Sequence, residues 1–225
     1  MNLRKSLSTL RRKLWKKSRP SLNDIDGKLQ KYLDFDNGFF LEAGANDGYS
    51  QSNTYYLEKS RGWSGILVEG IPELYGQCVQ ERANSKVVQA ALVDAEYNKP
   101  SVKMHYAGLM SVVDLSLKDE HLQAAHLRKG LELQHLDETY TIEVTAVTLE
   151  SILDEQLEGR CIDFFSLDVE GYELNVLKGT NLDKHRPKFL LVEARYFEEV
   201  DEYLRSFKYQ LIEQLSHHDY LYTDR

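Results

Sequence analysis

Acidic residues recur where short apolar segments of this sequence end. The acids at or just after these ends are Glu42, Glu69, Asp94, Asp168 and Glu193. An unpaired carboxylate at the end of a buried strand is costly, so a repeated series of them favours a polar site over packing. Because ligands of open parallel sheets bind outside the carboxyl ends of the strands, these acids predict a binding site along one edge of a sheet. The alternative is a set of helix N-caps and surface acids.

A glycine-containing loop after the first segment predicts the charge of the ligand. The loop consists of Gly44, Ala45, Asn46, Asp47 and Gly48. Its spacing differs from Gly-x-Gly-x-x-Gly, the dinucleotide fingerprint in which backbone amides approach a pyrophosphate. The charges of Glu42 and Asp47 would repel a phosphate and attract an ammonium group in a shielded cleft. S-adenosylmethionine, which carries an ammonium and a sulfonium but no phosphate, fits this requirement.

Two further acids extend the prediction to the nucleoside part of that ligand. Glu69 lies 25 residues after Gly44 and ends the next apolar segment. Nucleotide-binding folds place an acid there to accept hydrogen bonds from the ribose hydroxyls. Asp94, after the third segment, is predicted to meet the adenine amino group.

Three acids near the fourth and fifth segments are candidates for catalysis. Methyl transfer to a hydroxyl requires the acceptor oxygen about 3 Å from the methyl carbon and a group that removes the hydroxyl proton. Asp168 or Glu170 could be that base, or Asp168 with Glu193 could hold Mg²⁺ or Mn²⁺, which would lower the pKa of the acceptor. Acids also stabilise the first turn of a helix, which is the alternative for Glu170 and Glu173. His105 is a further candidate base.

The elements that must position these residues alternate between short strands and helices. Parallel strands are predicted over 38–42, 65–69, 86–92, 161–168 and 188–193, helices over 50–59, 72–82, 148–155 and 197–207, and a C-terminal antiparallel hairpin over 209–223. Nearly continuous apolar strands separated by helices are typical of a parallel sheet covered on both faces, so the predicted fold class is α/β. Segment 94–138, with a strand near 102–106 and a helix near 115–128, is interpreted as an insertion or lid. An alternating strand over 141–147 follows it.

Charge is distributed unevenly along the 225 residues. Residues 1–20 hold eight bases and no acid, which leaves 20 bases against 36 acids, a net charge of −16, in residues 21–225. Such a body repels phosphate backbones and disfavours nucleic acid as a partner. Leu3, Leu7, Leu10 and Leu14 form one stripe of a basic amphipathic helix. That helix is predicted to contact an anionic membrane surface or an acidic partner; the alternative is packing on the domain or on a second subunit of a homo-oligomer.

The overall composition and the lack of targeting segments favour an intracellular globular protein. The chain has 42% apolar and 28% charged residues and lacks both a long apolar run and a secretory signal, so a cytoplasmic location is expected, with peripheral contact at the inner face of the membrane through residues 1–20. Cys78 and Cys161 lack metal-binding spacing and are expected to be reduced core thiols.

Several segments together resemble the FkbM-type methyltransferases. They are 39–48, 68–69, 90–94 and above all 162–179, which reads Ile-Asp-Phe-Phe-Ser-Leu-Asp-Val-Glu-Gly-Tyr-Glu-Leu-Asn-Val-Leu-Lys-Gly. The resemblance covers about residues 36–195. It implies a class I, Rossmann-like fold with a seven-stranded sheet, S-adenosylmethionine as methyl donor, and a hydroxyl of a sugar or other natural product as acceptor. Glu42 stands where many members have Asp.

Two other functions remain as alternatives. One is a methyltransferase with a nitrogen or carboxylate acceptor, which would need no strong base. The other is a catalytically silent nucleoside-binding module that docks to a membrane complex through the basic helix. The acids at all the strand ends favour an intact enzyme.

Overall fold

The computed structural model describes residues 19–224 except 115 and 118. The basic helix predicted for 1–20 therefore lies outside the described residues, apart from its last two positions. No helix among the described residues has the length and apolar character that crossing a membrane requires.

Strands and helices alternate through most of the described chain. The strands are β1 Phe39–Ala43, β2 Ser64–Glu69, β3 Lys86–Gln89, β4 Ala91–Val93, β5 Ser101–His105, β6 Val112–Val113, β7 Thr141–Thr148, β8 Phe164–Leu167, β9 Phe189–Glu193, β10 Tyr209–Gln214 and β11 Asp219–Asp224. The α-helices are α1 Ile25–Leu29, α2 Tyr55–Arg61, α3 Pro72–Glu81, α4 Glu120–Gln134, α5 Leu149–Gln156, α6 Glu173–Lys178 and α7 Phe197–Ser206.

A seven-stranded sheet forms the centre of the molecule, in the order β10-β11-β9-β8-β1-β2-β3. The strands from β9 to β3 are parallel, and β11 pairs antiparallel with both β9 and β10. The predicted α/β fold with seven strands and a C-terminal antiparallel hairpin is confirmed, and the hairpin makes the sheet mixed. Strand order reverses between β1 and β8, which is where ligands bind in such sheets.

The central strand β1 supplies apolar residues to both faces of the sheet. Phe39 and Leu41 pack in a core with α5, α6 and α7, while Phe40 faces a second core formed with α1, α2 and Trp63. Because side chains alternate along a strand, Glu42 points to the same face as Phe40. A carboxylate is therefore buried on that face and needs a partner there.

The predicted third strand is two strands in two sheets. Residues 86–89 extend the main sheet, whereas Ala91–Val93 pairs with β7 in a four-stranded sheet of order β4-β7-β5-β6. The strands expected near 102–106 and 141–147 both belong to this second sheet and pair with each other antiparallel. The helix predicted over 115–128 spans Glu120–Gln134, and that predicted over 50–59 begins only at Tyr55. Between β1 and α2 the chain forms turns instead of helix.

Candidate active site

A cleft of about 500 Å³ opens at the carboxyl ends of β1, β2 and β8. Loops of the main sheet form one wall, and the turn Gly108–Met110 with helix α4 contributes the other. The segment interpreted as an insertion or lid thus borders the cleft. The predicted site residues that line it are Glu42, Gly44, Ala45, Asn46, Glu69, Asp168, Glu170 and Glu193. Asp47, Gly48 and Asp94 do not line it.

The backbone at Gly44 presses against the end of the neighbouring strand. Gly44 has φ +81°, and a Cβ there would lie 1.7 Å from the backbone oxygen of Asp168. The backbone N–H groups of Gly44 and Ala45 both donate to the carbonyl of Val68 at 3.1 Å. Only glycine satisfies this positive φ and this close approach. The backbone of Gly44 and Ala45, which lines the cleft, is therefore held between Val68 of β2 and Asp168 after β8.

Glu69, the last residue of β2, stabilises the loop after β1 through hydrogen bonds. Its Oε2 accepts a hydrogen bond from the backbone N–H of Asn46, and its Oε1 accepts one from that of Ile71, both at 2.8 Å. Burial raises the pKa of Glu69, partly offset by these backbone hydrogen bonds. Each carboxylate oxygen has a second lone pair, so Glu69 can still accept hydrogen bonds from a ligand. Its ribose-binding role stays a prediction.

Glu42 is neutralised inside the protein by Arg82. The Arg82 side chain is fully buried; its Nη1 lies 3.3 Å from Glu42 Oε2 and its Nε donates to Glu58 at 2.9 Å. Glu42 also accepts hydrogen bonds from the hydroxyls of Ser52 and Thr54, at 3.0 and 2.5 Å. It therefore does not offer the free negative charge that the sequence suggested. Arg82, a lone base after α3, gave no sequence signal of this role.

Asp47 and Gly48 support the loop instead of facing the cleft. The Oδ1 of Asp47 accepts hydrogen bonds from the backbone N–H groups of Tyr49 and Ser50, at 2.8 and 2.6 Å. This is a side-chain turn of the kind that Asp commonly forms. The carbonyl of Gly48 accepts a hydrogen bond from Arg82 at 3.1 Å. Both residues shape the loop that reaches the cleft at Ala45 and Asn46.

Asp94, which was predicted to meet the adenine amino group, is not among the residues that line the cleft. Its Oδ2 accepts a hydrogen bond from the side-chain amide of Asn175 at 3.1 Å. The strand before Asp94, β4, belongs to the second sheet. Asp94 therefore does not follow a strand of the main sheet, as the prediction had assumed. Ala90, Leu92 and Tyr172 line that part of the cleft instead.

Three carboxyl groups converge where β8 and β9 end. Asp168, Glu170 and Glu193 all line the cleft. Burial, then the charges of Glu193 and Glu170, raise the pKa of Asp168 well above its usual value. The pKa of Glu170 rises to about 8, mainly by burial and then by Glu193. The Asp168 and Glu193 carboxyls face each other within hydrogen-bonding reach once one of them is protonated.

Helix α4 contributes a histidine that sequence reasoning missed. The buried ring of His126 has its Nε2 3.5 Å from Glu170 Oε2 and 3.2 Å from the carbonyl of Met110. Arg195 donates from Nη2 to His126 Nδ1 at 3.1 Å. Burial, then the charge of Arg195, lower the pKa of His126. The lowered pKa favours the neutral ring, and the hydrogen bond from Arg195 to Nδ1 favours the tautomer with its proton on Nε2. A histidine in a polar helix of the insertion carries no spacing that links it to acids 44 residues away.

Other candidate residues lie outside the site. His105 pairs with Asp114 at 2.8 Å in the second sheet and does not line the cleft. Glu173 accepts hydrogen bonds from the backbone N–H groups of Gly171 and Val169, as expected for an acid in the first turn of a helix. Among the described residues, no group of three or more His, Cys, Asp or Glu side chains is arranged to hold a metal ion.

Comparison with known proteins identifies a family for most of this region. The family model described as the methyltransferase FkbM domain matches residues 42–211, which is more than half of the chain. Comparison with curated proteins gave no significant sequence match.

Several solved methyltransferase structures were matched to this chain by structure comparison, all at low sequence identity. A TehB-like S-adenosylmethionine-dependent methyltransferase from Corynebacterium glutamicum has a TM-score of 0.42 and 11% identity, covering 89% of this chain and 88% of that chain. A methyltransferase from Podospora anserina with bound S-adenosylhomocysteine has a TM-score of 0.46 and 9% identity, with 90% and 77% covered. One from Geobacter sulfurreducens, also with S-adenosylhomocysteine, has a TM-score of 0.40 and 12% identity, with 87% and 67% covered.

Proposed function

Because the chain belongs to the FkbM methyltransferase family, we propose that it transfers the methyl group of S-adenosylmethionine to a hydroxyl of a sugar, a glycan or a related natural product. One observation carries the choice of a hydroxyl. Oδ1 of Asp168 is buried in the cleft wall and has no hydrogen-bond donor among the described residues. An acceptor hydroxyl would supply the missing donor and bring its proton to the group that must remove it.

The cleft offers what each part of the donor needs. Its volume of about 500 Å³ is in the range of pockets that hold small-molecule ligands. The loop lines the cleft with Gly44, Ala45 and Asn46, and Glu69 has lone pairs free for ribose hydroxyls. Adenine would lie against Ala90, Leu92 and Tyr172. The carboxylates at the ends of β8 and β9 favour a positively charged ligand in this cleft.

The residues of the chain supply the proton acceptor and the positioning. When bound, the donor supplies an electrophilic methyl group, so attack by the acceptor oxygen forms an O–C bond, breaks the C–S bond and yields S-adenosylhomocysteine. Asp168 takes the hydroxyl proton. Its raised pKa makes the ionised form a stronger base than an ordinary aspartate, which suits a weakly acidic hydroxyl. A cationic ligand beside it favours that ionised form.

An amine acceptor is the second candidate. Three carboxyl groups at one end of the cleft would attract a protonated amine as well as the donor. A neutral amine has a nucleophilic lone pair and needs no strong base, so Asp168 would matter little for the methyl transfer step. A carboxylate acceptor is disfavoured because the same acids repel it.

The test begins with the donor site. Calorimetry should show that S-adenosylhomocysteine binds and NAD does not, because the cleft disfavours phosphate. Glu69→Ala should weaken binding by about 1–3 kcal/mol, the loss expected for a charge-assisted hydrogen bond. The matched control is Asp94→Ala, which should leave affinity unchanged. Tighter binding of NAD would contradict the proposal.

The acceptor is then sought directly. Purified protein, S-adenosylmethionine and a panel of glycans and amino sugars are incubated, and mass spectrometry detects the gain of one methylene mass. Methylation of a hydroxyl, located by fragmentation, supports the proposal. Methylation confined to amino groups would favour the second candidate.

A further inference from the structure

The mouth of the cleft exposes apolar side chains from two separate parts of the chain. Leu22, in the turn before α1, and Leu133, near the end of α4, both line the cleft, yet they are 56% and 64% exposed. Leu109 and Met110, half-buried, lie in the same lining. Apolar residues that remain exposed around a binding cleft indicate an interaction surface.

Cationic side chains stand beside these leucines. Lys129 is exposed one helical turn before Leu133 and lines the cleft. Arg195 also lines it, with 44% of its side chain exposed. Arg195 lies 3.9 Å from Glu170, and the positive charges of Arg195 and Lys129 both act on that carboxyl. Exposed leucines next to basic side chains are typical of surfaces that meet anionic lipid.

The basic head joins the domain at this same mouth. Ser21, next to Leu22, forms a parallel bridge with Gln51, which itself lines the cleft. The first described residues of the chain therefore lie beside the cleft. The sequence of residues 1–18 includes seven of the eight bases of the head and its four leucines. The sequence of the head and the rim of the cleft therefore share the same two chemical features, and the chain connects them directly at Ser21 and Leu22.

We propose that the rim formed by Leu22, Leu109, Met110, Lys129 and Leu133 is a membrane-binding surface, which turns the mouth of the cleft toward an anionic lipid bilayer. The net charge of −16 in residues 21–225 repels such a surface over most of the body. The rim with Lys129 and Arg195, next to which the basic head is attached in the sequence, can approach more closely, so charge favours this orientation. The apolar rim then inserts at the headgroup level and presents the acceptor end of the cleft to groups carried by membrane lipids.

A pair of labelling sites tests the orientation in the full chain. Cys161 is exposed and precedes β8, so it lies at the edge of the main sheet opposite the cleft, and Cys78 is buried. A fluorophore is attached either to native Cys161 or to Leu133→Cys in a Cys161→Ser background. Vesicles of phosphatidylglycerol and phosphatidylcholine carry a spin-labelled quencher lipid. The label at 133 should be quenched on binding and the label at 161 should not.

Serine substitutions test the apolar contribution. Leu22→Ser with Leu133→Ser should weaken vesicle partitioning about tenfold, because two leucines lose their burial in the interface. Val79→Ser, an exposed apolar residue of α3 outside the cleft lining, is the matched control and should change partitioning little. The proposal is overturned by an absence of vesicle binding, by quenching at 161 equal to that at 133, by quenching at neither site, or by equal effects of the two serine variants. Neither measurement needs methyl transfer, so failure here is distinct from failure of the proposed function.

Discussion

Two carboxylates that face each other in a partly closed cleft cannot both be ionised without a large electrostatic cost, and Asp168 and Glu193 form such a pair. Burial and then the charges of Glu193 and Glu170 raise the pKa of Asp168 well above its usual value. Burial and then the charge of Glu193 raise the pKa of Glu170 to about 8. The consequence is a base whose ionisation depends on what else is bound in the cleft.

The first prediction concerns Asp168 itself. Asp168→Asn keeps the size of the side chain and removes the proton acceptor, so turnover should fall by about 10² or more while donor affinity changes little. Turnover of the acceptor identified by mass spectrometry and calorimetric donor affinity measure the two effects. Asp94→Asn, outside the cleft, is the control. Near-normal turnover in Asp168→Asn would place the base elsewhere, with Glu170→Gln the next variant to measure.

The second prediction links donor binding to proton release. A cation near the cluster favours ionised carboxylates, so S-adenosylmethionine should release protons on binding near pH 7, where Glu170, with a pKa of about 8, is largely protonated. S-adenosylhomocysteine lacks the sulfonium charge and should release fewer. Calorimetry in buffers of different ionisation enthalpy counts the protons. Glu170→Gln should reduce the difference between the two ligands, and equal proton release by both would contradict this account.

Among the elements, the turns between β1 and α2 depend on a residue that follows α3. The guanidinium of Arg82 holds Glu42 at the end of β1, Glu58 in α2 and the carbonyl of Gly48 between them. One buried cation thus ties the loop that forms the cleft floor to two helices. Removing one partner from such a network leaves uncompensated buried charge.

The third prediction is that Arg82→Met destabilises the fold by about 3–5 kcal/mol. Urea unfolding followed by circular dichroism measures the free energy of unfolding. Arg205→Met, which breaks an exposed pair with Asp201 on α7, should have little effect because exposed ion pairs contribute little. If the two variants were equally stable, the buried network would not support the loop.

The pattern of apolar residues along the sequence was enough to predict the strands of the main sheet. It did not reveal the side-chain contacts between different strands and helices. Apolar runs of four to eight residues located β1, β2, β8 and β9, and the acids after them marked the cleft edge. The same pattern joined β3 and β4 into one strand, because periodicity cannot tell which sheet a residue pairs with. It also could not show that Glu42 is met by Arg82, or that His126 reaches Glu170, since both contacts depend on helix packing.

At the scale of the whole molecule, several buried acids have raised pKa values. Glu173 rises to about 7 and Glu170 to about 8, and Asp219 near the hairpin rises to about 6, each mainly by burial. A raised folded pKa means that the folded chain holds more protons than the unfolded chain between the two values. The stability from these groups is therefore full below about pH 4, their unfolded range, and is lost as pH rises through the folded pKa values.

The fourth prediction is that the free energy of unfolding falls between about pH 5 and 8, and that Glu173→Gln removes part of this fall. Glu173 shifts from 4.5 to about 7, so its share is on the order of 3 kcal/mol. Glutamine keeps an oxygen for the backbone N–H groups of Val169 and Gly171 and does not ionise. Urea unfolding at the two pH values gives the difference for each variant, with exposed Glu155→Gln as the control. A difference in Glu173→Gln as large as in the control would show that Glu173 ionises alike in the folded and unfolded chains, and the pH dependence would then come from the cluster at the ends of β8 and β9.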